Sequence, residues 1–317
     1  MYSERLSIVV IGSINVDLVI ETPRVPLAGE SLIGYSLEQF LGGKGSNQAI
    51  SLKRLGGDVI FSGKTGNDAF GNYAVDNLRE EGLDTSYIFT DNKSATGIAF
   101  IIVEPSGENR IIAIPGANGK YGIAETNSME AVIHGSSLVL LQLEIPLHSI
   151  KRISNIAKEN NIPVLIDAGP AQAAPLELFN GVTIVSPNES EALALTNIMV
   201  NDISSAKNAA RILLNSGARN VVMKLGANGA LIANDSDFRH VPAYDIEPVD
   251  TTAAGDAFTA ALALKYAQGA SIDEAVSFAN AAGALTALKK GARPSLPYKK
   301  DIEAFITEDH PRRTAWI

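Results

Sequence analysis

The stretch LSIVVIGSINVDLVI (Leu6–Ile20) begins as an almost unbroken apolar run, stops at Gly12 and then acquires two polar residues, Asn15 and Asp17. Such a run near the start of a chain reads either as a secretory signal or as a buried strand. The polar interruptions, and the lack of a small-residue cleavage pattern after them, favour the strand. A strand that is apolar throughout, instead of alternating, is covered on both faces, as in a parallel sheet. The pattern returns in SSLVLLQLE (136–144), IPVLIDAG (162–169), VTIVSPN (182–188) and ARNVVMKLG (218–226). Between these runs lie amphipathic segments, NQAISLKRLG (47–56), FGNYAVDNLREEG (70–82), IKRISNIAKENN (150–161) and ISSAKNAARILLNSG (203–217). Several close on Gly or Asn, as helix C-termini prefer. Strand and helix in alternation predict an α/β fold, a doubly wound and mostly parallel central sheet with helices on both faces, as a single domain over 1–317. Ligands of such sheets bind beyond the carboxyl ends of the strands.

Two regions break the alternation, about 17–40 and about 94–115. In the second, TGIAFIIVEPSGENRIIAI (96–114) reads as two strands around a PSGEN turn. Without helices between them, these strands are expected to form a small antiparallel sheet projecting from the body, either a lid or a plain edge extension. After Asp256, AFTAALALKYAQGA and SIDEAVSFANAAGALTALKKGA predict two packed helices, and YKKDIEAFITE a closing one. The tail DHPRRTAWI (309–317) carries no clear signal, and its Trp316 reads as a packing contact or as disordered.

The 317 residues are 46% hydrophobic, and 26 basic against 35 acidic residues give a net charge of -9 without any basic block. A nucleic-acid partner is therefore not expected. There is no cysteine, which removes disulfides, thiolate metal sites and a cysteine nucleophile, and the four histidines show no metal-ligand spacing. No apolar run is long enough to span a membrane, so a cytoplasmic location is the expectation.

Four polar constellations fall at predicted strand ends or helix starts. Asn15 and Asp17, two apart on an extended segment, face one side and can bind adjacent hydroxyls, or they close the strand as an Asx turn. FLGGKGSNQA (40–49) fails the P-loop template, because Glu38 stands where a glycine is required and Gly45 where Ser or Thr is required. Its glycines instead allow a ligand to approach the backbone, with Lys44 and Asn47 as hydrogen-bonding groups; a bland glycine-rich turn explains it equally. Glu144 ends another strand. Asn188 and Glu191 in SPNESEA could hold waters on Mg²⁺ or form a helix cap, and KLGANGA (224–230) suits either a nucleotide loop or a hairpin turn. In DTTAAGDAFTAAL (250–262), Asp256 is either a helix cap or a general base beside a phosphate cradle of small residues.

Taken together, GSINVD, GGKGSNQA, SPNESEA, KLGANGA and VDTTAAGDAF resemble, in this order, the ribokinase/phosphofructokinase-B family of carbohydrate kinases, from about residue 7 to about residue 307. GSIN.D, GGKG.NQA and KKGARPS are similar above all to the family's ribose kinases. The resemblance implies transfer of the γ-phosphoryl of ATP to the 5-hydroxyl of D-ribose, giving D-ribose 5-phosphate. The alternative within the family is another sugar: fructose, deoxyribose or 2-keto-3-deoxygluconate. By this resemblance Asp256 is the base, and the amides of Ala253, Ala254 and Gly255 are the anion hole. Asn15, Asp17, Gly43, Lys44, Asn47 and Glu144 bind the sugar. Asn188, Lys224, Gly226, Gly229, Gly255 and Asn280 contact the nucleotide, and Asn188 and Glu191 order the Mg²⁺ waters. A monovalent cation, usually K⁺, is implied at Asp250, Thr252, Thr286, Lys289, Gly291 and Ser295. The projecting sheet matches a lid that also makes a homodimer. Asp167 and Lys224 depart from the Asn and Thr found in many members, and neither is expected to touch the chemistry. Ala113 stands where a larger aliphatic residue would cap the sugar, which leaves room for a bigger one. A different class of function, an idle sugar or nucleotide sensor, would have no use for a base at 256.

Overall fold

The computed structural model describes residues 7–106, 108–308, 310–313 and 316. Gly107 of the PSGEN turn and the tail residues 309, 314, 315 and 317 lie outside that set. The chain runs β1 (Ser7–Ile11), β2 (Asn15–Glu21), β3 (Ser36–Gly42), α1 (Lys44–Arg54), β4 (Asp58–Gly66), α2 (Ala69–Glu80), β5 (Ile88–Asp91), β6 (Gly97–Val103), β7 (Asn109–Ile114), α3 (Ile123–His134), β8 (Leu138–Gln142), α4 (Leu147–Glu159), β9 (Val164–Asp167), β10 (Ile184–Ser186), α5 (Glu189–Thr196), α6 (Ile203–Asn215), β11 (Asn220–Lys224), β12 (Ala230–Asn234), β13 (Phe238–Val241), α7 (Ala254–Ala267), α8 (Ile272–Ala287), α9 (Ala292–Ser295) and α10 (Lys299–Thr307).

β1 is buried from end to end because successive side chains enter different cores. Ile8 and Val10 join Leu138, Leu140, Leu165 and Val222 beneath α1, α7 and α8. Val9 and Ile11 join Val139, Leu141, Ile166 and Met223 beneath α3 to α6. Each such side chain, fully buried, is worth roughly 1.5–3 kcal/mol of transfer free energy. The nine strands take the order β13-β12-β11-β10-β9-β8-β1-β4-β5. From β11 to β5 neighbours are parallel, whereas β12 and β13 fold back antiparallel at one edge. The order reverses at β1, with β4 on one side and β8 on the other. This is the point in a doubly wound sheet where loops diverge and leave a crevice.

The second sheet has four strands in the order β3-β2-β6-β7. It was expected to be antiparallel, and its outer pairs are, but the central pair β2–β6 is parallel. The reason lies in the connections: β2 and β6 each leave the body beside a strand end of the main sheet and lie side by side, and β3 and β7 return. Much of its surface is apolar and open, with Leu37 66%, Ile112 58% and Ile114 48% exposed. Trp316 is half-buried against the core beneath α3 to α6. Among the described residues no helix is long and apolar enough to cross a membrane.

Candidate active site

The carboxyl ends of β1, β8, β9, β10 and β11 deliver, in turn, Ser13 to Asp17, Glu144, Asp167, Asn188 and Lys224 to one edge of the sheet. α1 and α7 both start at that edge, so their first turns complete the wall.

Asp256 lies in the first turn of α7 but does not cap it. The N-cap position is Ala253, in a left-handed conformation (φ 60°) and without a side-chain cap bond. The Asp256 carboxylate reaches across to α1, where it accepts from Asn47 Nδ2 at 3.0 Å and from Gln48 Nε2 at 3.0 Å, with Lys44 Nζ 3.6 Å away. It is 5% exposed. Of the amides nominated for an anion hole, that of Ala254 donates to Thr251 O at 3.1 Å. Those of Ala253 and Gly255 have no backbone partner among the described residues, and neither has that of Asp256. A helix N-terminus with unpaired amides attracts an anion.

The sugar-side groups are oriented by their neighbours. Asn118 Nδ2 donates to Asn15 Oδ1 at 2.8 Å, which turns the Asn15 amide so that its own N–H₂ is left to donate. Asn47 spends its N–H₂ on Asp256 and keeps a buried Oδ1 without a partner among the described residues. Glu144 Oε2 accepts from Ser13 Oγ and from the Lys44 amide. Asp17 lies on the same sheet row as Ala99 and Ala113. A Cβ on Gly42 would overlap the Asp17 carboxylate, and Gly43 takes φ 91° to bring β3 into α1. Donors and acceptors are thus mixed around one space, as a polyhydroxylated ligand requires. Burial, then the charges of Glu144 and Asp256, push the Asp17 carboxyl up to about 7. Burial works against the Lys44 ammonium, but Asp167, Asp256, Glu191 and Glu144 outweigh it and raise its pKa well above the ordinary range.

Asp167, set aside with Lys224 as a departure from the family pattern, forms a buried ion pair with it beside Asp256, Lys224 Nζ donating to Asp167 Oδ1 at 2.5 Å. Gln48 Nε2 also donates to Asp167 Oδ2 at 2.6 Å, so one amide ties Asp167 to Asp256. Its other end accepts from Gln142 Nε2 at 2.7 Å. Ser13, Gln48, Asn118, Gln142 and Asp167 were all missed as site residues. Gln142 is a polar residue inside an otherwise apolar run, and Gln48 follows Asn47 directly at the start of α1; those were the available signals.

Asn188 and Glu191 form the reciprocal helix cap that competed with the magnesium reading. Asn188 Oδ1 accepts from the Glu191 amide, and Glu191 Oε2 from the Asn188 amide, each at 2.8 Å. Glu191 Oε1 has no hydrogen bond among the described residues, so a carboxylate oxygen remains. That fits Mg²⁺, which takes oxygen donors and keeps much of its water. KLGANGA is both a hairpin connection and a loop at the site: β11 turns into β12 through Gly226 (φ 51°) and Gly229 (φ 90°). Asn280 of α8 donates to Val241 O and Pro242 O, behind that turn. Asp250 accepts from the Thr252 amide and hydroxyl and from the Gly291 amide, drawing the 250–252 loop onto the 286–295 segment. Thr286 O accepts from the Lys289 amide at 3.2 Å, and Ser295 Oγ donates to Ala292 O. This oxygen-rich junction suits a monovalent cation.

Residues 5–299 match the pfkB family carbohydrate kinases. A ribokinase of Haemophilus influenzae is 37% identical over 95% of this chain and 99% of its own length. The structure of Arabidopsis thaliana ribokinase complexed with ribose and ATP superposes with a TM-score of 0.88 at 32% identity, covering 94% of this chain and 98% of that one. Phosphofructokinase-2 of Escherichia coli in complex with potassium gives a TM-score of 0.78 at 25% identity, over 96% and 98%. With the match spanning nearly the whole chain, this protein belongs to the pfkB family of carbohydrate kinases.

Proposed function

We propose that this chain transfers the γ-phosphoryl group of ATP to the 5-hydroxyl of D-ribose, releasing ADP and D-ribose 5-phosphate. The observation that carries the proposal is Asp256, a buried carboxylate oriented by two side-chain amides at a helix N-terminus with unpaired backbone N–H groups. The carboxylate takes the proton of the sugar hydroxyl as its oxygen bonds to phosphorus, and the bond to ADP breaks with its electron pair leaving on ADP. The amides at the start of α7 receive the charge on the transferring group. Asn15, Asp17, Asn47 and Glu144 hold the remaining hydroxyls, and Lys44 balances their charge. The nucleotide lies along Asn188, the Lys224–Gly229 turn and Asn280. Glu191 and Asn188 would hold the waters of Mg²⁺, which would supply neutralisation of phosphate charge. Asp250, Thr252, Thr286, Lys289, Gly291 and Ser295 would hold K⁺, which would add positive charge near the loop that enters α7.

The four-stranded sheet acts as a lid on a single kinase domain, excluding water that would otherwise accept the phosphoryl group. Its exposed Leu37, Ile112 and Ile114 belong to an interface with a second copy, making a homodimer. Use of ATP as co-substrate supports a cytoplasmic location. Ala99 and Ala113, small and in line with Asp17, favour one second reading, a bulkier sugar such as fructose or 2-keto-3-deoxygluconate. ADP release measured over a sugar panel, with and without potassium, decides: ribose failing to be the best substrate overturns the first reading. Turnover no faster than that of an Asp256→Asn variant would mean a sensor instead of a kinase.

A further inference from the structure

The buried charges beside Asp256 form a connected set. The Asp167 carboxylate is 0% exposed and receives three groups: Lys224 Nζ at 2.5 Å, Gln48 Nε2 at 2.6 Å and Lys44 Nζ at 3.7 Å. Lys224 is 8% exposed, lies 3.6 Å from Glu191 Oε2 on its other side, and has its ammonium 4.0 Å from where a Cβ on Gly255 would stand. The ammonium therefore faces the Cβ side of Gly255, the residue at the start of α7 whose amide is unpaired. Burial opposes both charges, but Asp167 and Glu191 keep Lys224 protonated, and Lys224 and Lys44 keep Asp167 ionised. An ion pair this deep is not needed for stability, since apolar residues of like volume serve as well or better. Its placement between the base and the start of α7 has a use that packing alone lacks.

We propose that Asp167 is a positioning residue that spaces the base from a phosphoryl-binding ammonium, steadying Asp256 through Gln48 and holding Lys224 beside Gly255 at the start of α7. A phosphoryl group arriving there meets a side-chain cation as well as backbone N–H groups. Asp167 fixes the cation without neutralising the donors that point at the ligand. This inference rests on the kinase reading above, and its test includes a readout that needs no turnover.

The variants are Asp167→Asn, Lys224→Met and the two combined. Each single change removes the nearest opposite charge from a buried group, leaving Asp167 with Lys44 or Lys224 with Glu191 at more than 3.5 Å, and lowers Tm; the combined variant is charge-balanced and recovers most of that loss. A purely structural pair recovers kcat with it. A positioning pair does not: kcat of the combined variant stays about 10²-fold down, the order expected for loss of one preorganised donor, while KM for the sugar moves less than about threefold. Lys224→Met also weakens a non-hydrolysable ATP analogue about tenfold more than it weakens ADP, because only the analogue carries a γ-phosphoryl. Recovery of kcat in the combined variant, a rise in sugar KM that accounts for the loss, or equal effects on analogue and ADP would each overturn the proposal. The analogue comparison stands even if no sugar tested is phosphorylated, an outcome that would count against the ribose reading alone.

Discussion

Asp17 stores a penalty that can be read as a dependence of stability on pH. Its carboxyl, ordinarily near 3.8, is pushed up to about 7 in the folded chain by burial and by Glu144 and Asp256. A carboxyl raised on folding binds its proton more tightly in the native state, so its stabilisation is complete below the unfolded pKa and is lost as pH rises through the folded one. At 1.36 kcal/mol per unit, the raised pKa costs the native state about 1.7 kcal/mol at pH 5, where folding takes up a proton, and about 4.3 kcal/mol at pH 8, where the charge must stay in the site. Asp17→Asn keeps the shape and removes the charge. Denaturant unfolding of both proteins without ligand should show the variant gaining on the unsubstituted chain by about 2.6 kcal/mol between pH 5 and pH 8. A gap that does not change with pH, or one that shrinks towards pH 8, refutes the electrostatic account. The same variant should bind the sugar worse, since hydroxyls donate to a carboxylate more strongly than to an amide. Sugar binding near pH 7 should release a fraction of a proton from the unsubstituted protein, visible as a buffer-dependent binding enthalpy.

Asp256→Asn is expected to cut kcat by at least ~10²-fold with KM for sugar and ATP little changed, as loss of a general base does; steady-state kinetics check it, and a tenfold or smaller loss counts against the role. Gly42→Ala drives a methyl into the Asp17 carboxylate, so KM for the sugar should rise at least ~10-fold, with a stability loss of about 1–3 kcal/mol from overpacking. Ile112→Lys places a charge on the open apolar face of the small sheet; on the proposed dimer, sedimentation should show a dimer for the unsubstituted chain and a monomer for the variant, while a Tm shift within a few degrees shows that the fold is kept.

The main sheet was legible in the sequence because a strand buried on both faces leaves a pattern, a short apolar run ended by a turn or polar residue, that Ser7–Ile11 (before Gly12) and Leu138–Gln142 both display. The small sheet was legible as strands but not as a topology. Which strands of two hairpins become neighbours depends on where the main sheet releases them, and no local pattern records that. At the site, residues near a glycine turn or a helix start stood out, among them Lys44, Asn47 and Asp256. Gln48 and Gln142 did not, because a glutamine in the polar start of a helix or inside an apolar run has no marked role until its partners across the sheet are known. The place of Asp167 was hidden for the same reason: its partner Lys224 is 57 residues away in sequence and 2.5 Å away in space.

β3 ends at Gly42 and α1 begins at Lys44, so one residue, Gly43 with φ 91°, stands between the projecting sheet and the helix whose Asn47 and Gln48 grip Asp256. That single residue is a mechanical joint. Whatever bends the sheet over a ligand pulls on the same few bonds that aim the carboxylate, and no slack loop absorbs the pull. With the sheet acting as the proposed lid, capture of the acceptor and readiness of the proposed base would be two ends of one lever, and lengthening the joint by an inserted residue would uncouple them.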